Sequence, residues 1–162
     1  MNGGSPLVAV AVFGAAVLGP LLLLSPAPVD LRGTAPLPVH GNSVLTLRAD
    51  RFGQFWTAGR VNGVPCRFLV DTGASDIAFG RGDARRLGID PARLVFNETK
   101  WTANGHIRSA MVRVAWLQVG PFLLRDVPVS IDDSEMDAPL LGMSFLRRFR
   151  LAIRDDAITI SD

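Results

Sequence analysis

Phe68-Leu69-Val70-Asp71-Thr72-Gly73-Ala74-Ser75 is an apolar, strand-prone run that delivers one carboxylate into a tight turn. Three β-favouring side chains precede the acid and Gly73 permits a sharp change of direction behind it, so the pattern presents Asp71 rigidly at a strand end. An Asp before Thr-Gly also suits a plain turn, in which the side chain bonds its own backbone.

A carboxylate fixed in this way suits activation of water for attack on a carbonyl, which takes one carboxylate as base and a second, protonated one as acid. Two adjacent carboxylates cannot both ionise, so they share a proton. Asp-Thr-Gly occurs once in the 162 residues and no internal repeat supplies another, so the second carboxylate must come from a second copy of the chain across a two-fold axis.

Upstream, Val44-Leu45-Thr46-Leu47-Arg48 alternates, and Gln54 to Val61 has strand-like composition. Asn62-Gly63 marks a two-residue hairpin turn into the strand that climbs through Cys66 to Asp71. Downstream, Asp83 to Gly88 has modest helical character, ended by Gly88 and Pro91. Leu94 to Trp101 and Ile107 to Val119 bracket a second Asn-Gly hairpin at Thr102-Ala103-Asn104-Gly105, and Phe122 to Ile131 is another strand. Asp132 to Asp137 reads as a solvated acidic turn, since it lacks the turn glycine and terminal glutamate of a calcium loop. Leu140-Leu141-Gly142 precedes a short helix from Ser144 to Phe149, and Ala157 to Ser161 ends the chain as a strand. The expected fold class is all-β with little helix.

Hydrophobic residues make up 48% of the chain and mean hydropathy is +0.27. The excess lies in Leu7 to Leu24, which holds no charge and would span about 27 Å as a helix at about 1.5 Å per residue. Residues 1–24 thus read as an N-terminal transmembrane anchor or a cleaved secretory signal; the leader lacks Lys and Arg, and cleavage after Ala27 would leave Pro28 first, which favours the anchor. Residues 25–42, with Pro26, Pro28, Pro36 and Pro38, read as an extended linker, and the folded domain as 43–162. Net charge is +2, from scattered arginines and the single lysine Lys100, with no basic run interleaved with aromatics, so nucleic acid is not an expected partner. Cys66 is the sole cysteine, which excludes an internal disulfide. His40 and His106 have no second ligand at a metal-binding spacing, and neither a metal nor a cofactor is expected.

Asp71-Thr72-Gly73-Ala74-Ser75, the Asn-Gly hairpin about thirty residues later and Leu140-Leu141-Gly142 before a short helix together resemble the retropepsin-type aspartic proteases, and more closely their bacterial, membrane-anchored, single-domain relatives. The resemblance covers about Ser43 to Asp162. It implies a retropepsin-like closed antiparallel β barrel with a flap hairpin and one short C-terminal helix, working as a homodimeric aspartic endopeptidase on extended polypeptides, with its domain on the periplasmic side of a bacterial inner membrane. By the same resemblance Asp71 is catalytic, Thr72 reaches across the dimer axis and Gly73 lets the backbone approach substrate. Leu140, Leu141 and Gly142 thread past and support the catalytic loop with Ala74 and Ser75. Trp101, Thr102, Ala103, Asn104 and Gly105 form the flap, with Trp101 either capping a substrate pocket or packing in the core.

Two departures from the family pattern carry expectations. Many pepsin-like sites have Ser or Thr at the position of Ala74, donating to the ionised carboxylate; Ala74 cannot, which moves the expected activity optimum away from strong acid. Viral members commonly pair an Asp at the position of Ser75 with an Arg at that of Met143; both are replaced here, so the dimer is expected to rely on apolar packing, with Leu146 and Phe149 as candidates. Actin-like ATPases also end a strand in Asp-x-Gly, but their two-lobed fold needs far more chain. The remaining alternative is an inactive retropepsin-like module that binds peptides as a membrane adaptor.

Overall fold

The computed structural model describes residues 42–102 and 105–162. The anchor and the linker up to position 41, and flap residues Ala103 and Asn104, lie outside the described residues. Among the described residues no helix is long and apolar enough to cross a membrane.

The chain forms β1 (Val44–Arg48), β2 (Phe55–Val61), β3 (Val64–Val70), β4 (Ala78–Phe79), α1 (Arg81–Arg86), β5 (Glu98–Thr102), β6 (Gly105–Val119), β7 (Phe122–Asp132), β8 (Leu140–Leu141), α2 (Met143–Leu146), β9 (Arg150–Arg154) and β10 (Ala157–Ser161). Alternation sets the inner face of β3: Cys66, Phe68 and Val70 are buried while Arg67 points to solvent. Asn62 and Gly63 have φ of 49° and 91°, the doubly left-handed geometry of a two-residue hairpin turn, and it registers Val61 against Val64.

The main sheet runs β2-β3-β8-β4-β7-β6-β5, and β2 also pairs with β6, which closes six strands into a barrel and leaves β5 outside the ring. Closure depends on a glycine. A β-carbon on Gly59 would stand 2.6 Å from the Gln118 carbonyl oxygen and 2.9 Å from the Phe68 ring, so no larger residue lets β2 reach β6. Two pairings, β3–β8 and β4–β7, are parallel, a mixed register within a barrel expected to be antiparallel; neither pair is consecutive in the chain, and the long connections permit the parallel direction that a tight hairpin forbids. A second sheet, β1-β10-β9, seats Ile158 and Ile160 in the same core.

That core gathers Phe68, Phe79, Leu117, Ile131, Leu141, Phe145 and Leu146, all fully buried. At about 1.5–3 kcal/mol for each large side chain withdrawn from water, this packing outweighs local propensity, and it holds the four-residue α2, too short to persist alone.

Several sequence expectations shift. The C-terminal helix spans Met143–Leu146 rather than Ser144 to Phe149, because Gly142 supplies the first carbonyl, accepting from the Phe145 and Leu146 amides at 3.0 and 3.1 Å. Leu146 is fully buried within one protomer and so offers no apolar surface to a dimer, whereas Phe149 is half-buried, its ring tilted on that of Phe122 at 4.2 Å. The strand expected from Leu94 starts only at Glu98: a 3-10 turn over Pro91–Arg93, capped by Asp90, precedes it, and Leu94 and Phe96 turn inward to pack. The acidic stretch is no freely solvated turn. Asp132 is buried at the end of β7, Asp133 pairs with Arg81, and Glu135 accepts from the Gly82 amide at 2.8 Å and pairs with Arg85.

Candidate active site

Asp71 follows the last residue of β3 and is fixed from three directions. Its amide donates to the Leu141 carbonyl at 3.2 Å, extending the ladder that registers Leu69 with Leu140 and Val70 with Leu141. Its carbonyl accepts from the Ala74 amide at 3.3 Å, closing the turn. Its carboxylate accepts from the Gly73 amide at 2.8 Å. The turn role and the chemical role thus coincide in one residue: the bond that makes the turn also orients the carboxylate.

Leu140-Leu141-Gly142 runs directly beneath this loop. The amides of Met143 and Ser144 donate to the carbonyls of Ala74 and Ser75, both at 2.8 Å, and the Ile77 amide donates to the Ser144 hydroxyl at 3.0 Å. These bonds clasp residues 74–77 to the start of α2 and satisfy backbone groups that a bare loop would leave to water. Thr72, Gly73 and Ser75 remain exposed and Asp71 is half-buried, so the face that carries the carboxylate is open within a single protomer. Met143 packs against the core, consistent with an apolar residue in place of a charged one.

The hairpin of β5 and β6 registers Trp101 with His106 and Thr102 with Gly105, and the Thr102 hydroxyl donates to the Gly105 carbonyl at 2.7 Å. Trp101 is 83% exposed and meets the His106 ring edge-on at 5.2 Å; its core-packing reading is therefore set aside.

Between hairpin and loop lies a polar cluster that the sequence did not single out. Lys100 Nζ on β5 is 2.8 Å from Asp76 Oδ2, five residues beyond Asp71, and 3.7 Å from Asp132 Oδ1, which also accepts the Ser130 hydroxyl at 2.8 Å. The available signal was Lys100 itself, the one lysine in an arginine-rich chain.

Among the described residues no group of three or more His, Cys, Asp and Glu side chains could hold a metal ion. Cys66 lies on the inner face of β3, and burial pushes its thiol up to about 11. Burial likewise raises Asp83 on α1, against the opposing pull of Arg86 at 2.8 Å.

Residues 57–148, from β2 into the segment after α2, match the family model described as "gag-polyprotein putative aspartyl protease". A crystal structure of a retropepsin-like aspartic protease from Rickettsia conorii superposes with a TM-score of 0.66 at 34% identity, covering 72% of this chain and 98% of that one. Among curated proteins, one from Sinorhizobium sp., described as an uncharacterized protein in the cobV 5' region, is 36% identical over 81% of this chain and 57% of its own length. An uncharacterized protein of Rickettsia prowazekii (strain Madrid E) is 38% identical over 60% of this chain and 42% of its own. The chain thus spans about half the length of these curated relatives.

Proposed function

Because this chain belongs to the retropepsin-like aspartic protease family, we propose that it hydrolyses peptide bonds in extended polypeptides, with water activated between the Asp71 carboxylates of two identical subunits. The observation that carries the reading is the fixing of Asp71: a single carboxylate, held at a strand end by the Leu141 carbonyl and its own turn, on an open face that displays Thr72 and Gly73.

In the chemistry that follows, the ionised carboxylate takes a proton from water as the water oxygen bonds to the substrate carbonyl carbon. The protonated carboxylate gives its proton to the carbonyl oxygen, and a tetrahedral diol results. The carboxylate now protonated then delivers to the amide nitrogen while its partner takes a hydroxyl proton. The C–N bond breaks, a carboxylic acid and an amine leave, and the pair returns to one shared proton. The Thr72 hydroxyls are assigned to bracing the two loops across the axis. The flap supports this reading, since β5 stands at the sheet edge, where an extended substrate can pair with its backbone. Retention at a bacterial inner membrane, with the domain in the periplasm, rests on the apolar run Leu7 to Leu24.

The test is cleavage of an unstructured protein by the purified full chain and by Asp71→Asn, with sedimentation of both. Wild type cleaves and the variant loses activity by about a thousand-fold or more. Mixed one to one, a shared site leaves about a quarter of the activity, because mixed dimers lack one carboxylate. Peptide binding without cleavage identifies the adaptor alternative, and an active monomer overturns the shared site.

A further inference from the structure

Lys100 joins three parts of the molecule that the sequence separates: the flap strand β5, the loop that leaves Asp71, and the end of β7. We propose that Lys100 is a positioning residue that fixes the base of the flap to the catalytic loop through Asp76 and Asp132, an inference that rests on the proteolytic reading of the site.

The carboxylates give the bridge its strength. The Asp132 side chain is only 6% exposed, those of Lys100 and Asp76 are 22% and 26%, and this partial burial screens the pairs less than water would. Asp132 also accepts the Ser130 hydroxyl, but Ser109, which faces Asp132 across the β6–β7 ladder, buries a hydroxyl with no partner among the described residues. Withdrawing the ammonium would leave a nearly buried carboxylate with that single hydroxyl and another carboxylate close by. The cluster therefore favours Lys100 held in place.

The other end of the bridge is equally constrained. The Asp76 carbonyl lies against Gly142, and the neighbouring Ile77 amide is bound by Ser144. A rigid series thus runs from Gly142 through Asp76 to Lys100 and into β5. Beyond Lys100 the hairpin pairs Trp101 with His106 and Thr102 with Gly105. The bridge accordingly sets the pivot: Trp101 moves over the peptide, while the strand behind it stays fixed to the catalytic loop through Lys100.

The test compares full-length wild type, Lys100→Met, Lys100→Arg and Asp76→Asn by amide hydrogen exchange and by peptide kinetics. In Lys100→Met and Asp76→Asn the amides of Trp101, Thr102, Gly105 and His106 exchange about ten-fold faster, while those of Phe68 and Leu117 in the barrel keep their rates. KM rises about ten-fold with kcat within about three-fold, and Lys100→Arg, which keeps the charge, restores most of both. Flap amides exchanging at the wild-type rate in Lys100→Met overturn the proposal, as does an equal acceleration of flap and barrel. Should wild type cleave nothing, the proteolytic reading fails by itself, and exchange still decides whether Lys100 fixes the flap.

Discussion

A β-carbon placed on Gly142 would stand 2.2 Å from the carbonyl oxygen of Asp76 and 2.6 Å from that of Ala74. The contacts are with backbone rather than with a side chain that could swing away, so the loop carrying Asp71 must move to admit any side chain. Gly142→Ala is expected to lower stability by about 1–3 kcal/mol. Peptide cleavage should fall further than the folded fraction does, since the same displacement misplaces Asp71. Chemical denaturation and cleavage assays on one preparation check this, and activity that follows the folded population would show that the loop absorbs the shift harmlessly.

Gly59 tests barrel closure away from the site. Its absent side chain lets β2 meet the Gln118 carbonyl, and Gly59→Ala must part β2 from β6 or displace Phe68. A stability loss of about 1–3 kcal/mol is expected, with kcat per folded molecule unchanged. The contrast with Gly142→Ala separates the closing seam from the catalytic loop.

Ala74 presents a methyl group next to the catalytic turn, where a serine would bring a hydroxyl donor. Among the described residues the Gly73 amide donates to the Asp71 carboxylate at 2.8 Å. Ala74→Ser adds a donor that favours the ionised form, so the acid limb of the pH–rate profile should move to lower pH. Parallel pH–rate profiles of the two proteins on one peptide measure it, and an unchanged or less acidic limb refutes the role given to this position.

Cys66 reports on the barrel interior. Burial pushes its thiol from 9.0 up to about 11, so the fold favours the neutral form. Below pH about 9 the unfolded thiol is neutral as well and this contribution is fully present. As pH rises toward about 11 the unfolded thiol ionises first, and the stability it gave is lost. Cys66→Ala should therefore show a shallower fall in unfolding free energy over that window, measured by denaturant titration. Wild-type thiol should also resist alkylation until denaturant is added; rapid labelling of native protein would contradict its burial.

Much of this architecture was legible because local signals agreed with tertiary ones. The Asn62-Gly63 turn, the climb to Asp71 and the order Asp-Thr-Gly, flap, Leu-Leu-Gly all describe backbone events that few residues permit. The rest depends on contacts across long separations. Strand β4 is two residues long and exists through Ser130 and Ile131 on β7, and β9 carries too many arginines to signal a strand without its hairpin to β10. The acidic loop looks solvated until Arg81, Arg85 and the Gly82 amide are brought to it. Lys100 could be seen as a lone charge, but its two carboxylates lie on different elements, and only folding brings them together.

Trp101 offers the most direct reading of substrate entry. It is 83% exposed on the flap strand and meets the edge of the His106 ring, whereas Trp116 is buried and Trp56 lies beneath the Arg67 guanidinium at 4.1 Å. A large apolar side chain left in water contributes little to folding, so Trp101→Ala should change stability by less than about 0.5 kcal/mol. If the flap closes over a peptide, Trp101 exchanges water for substrate and the loss appears in binding. KM should then rise about five-fold, with Trp101→Phe recovering part of it. Acrylamide should quench Trp101 preferentially in the free protein, and a non-cleavable peptide should protect it. Equal quenching with and without peptide, together with an unaltered KM in Trp101→Ala, would remove Trp101 from the substrate site.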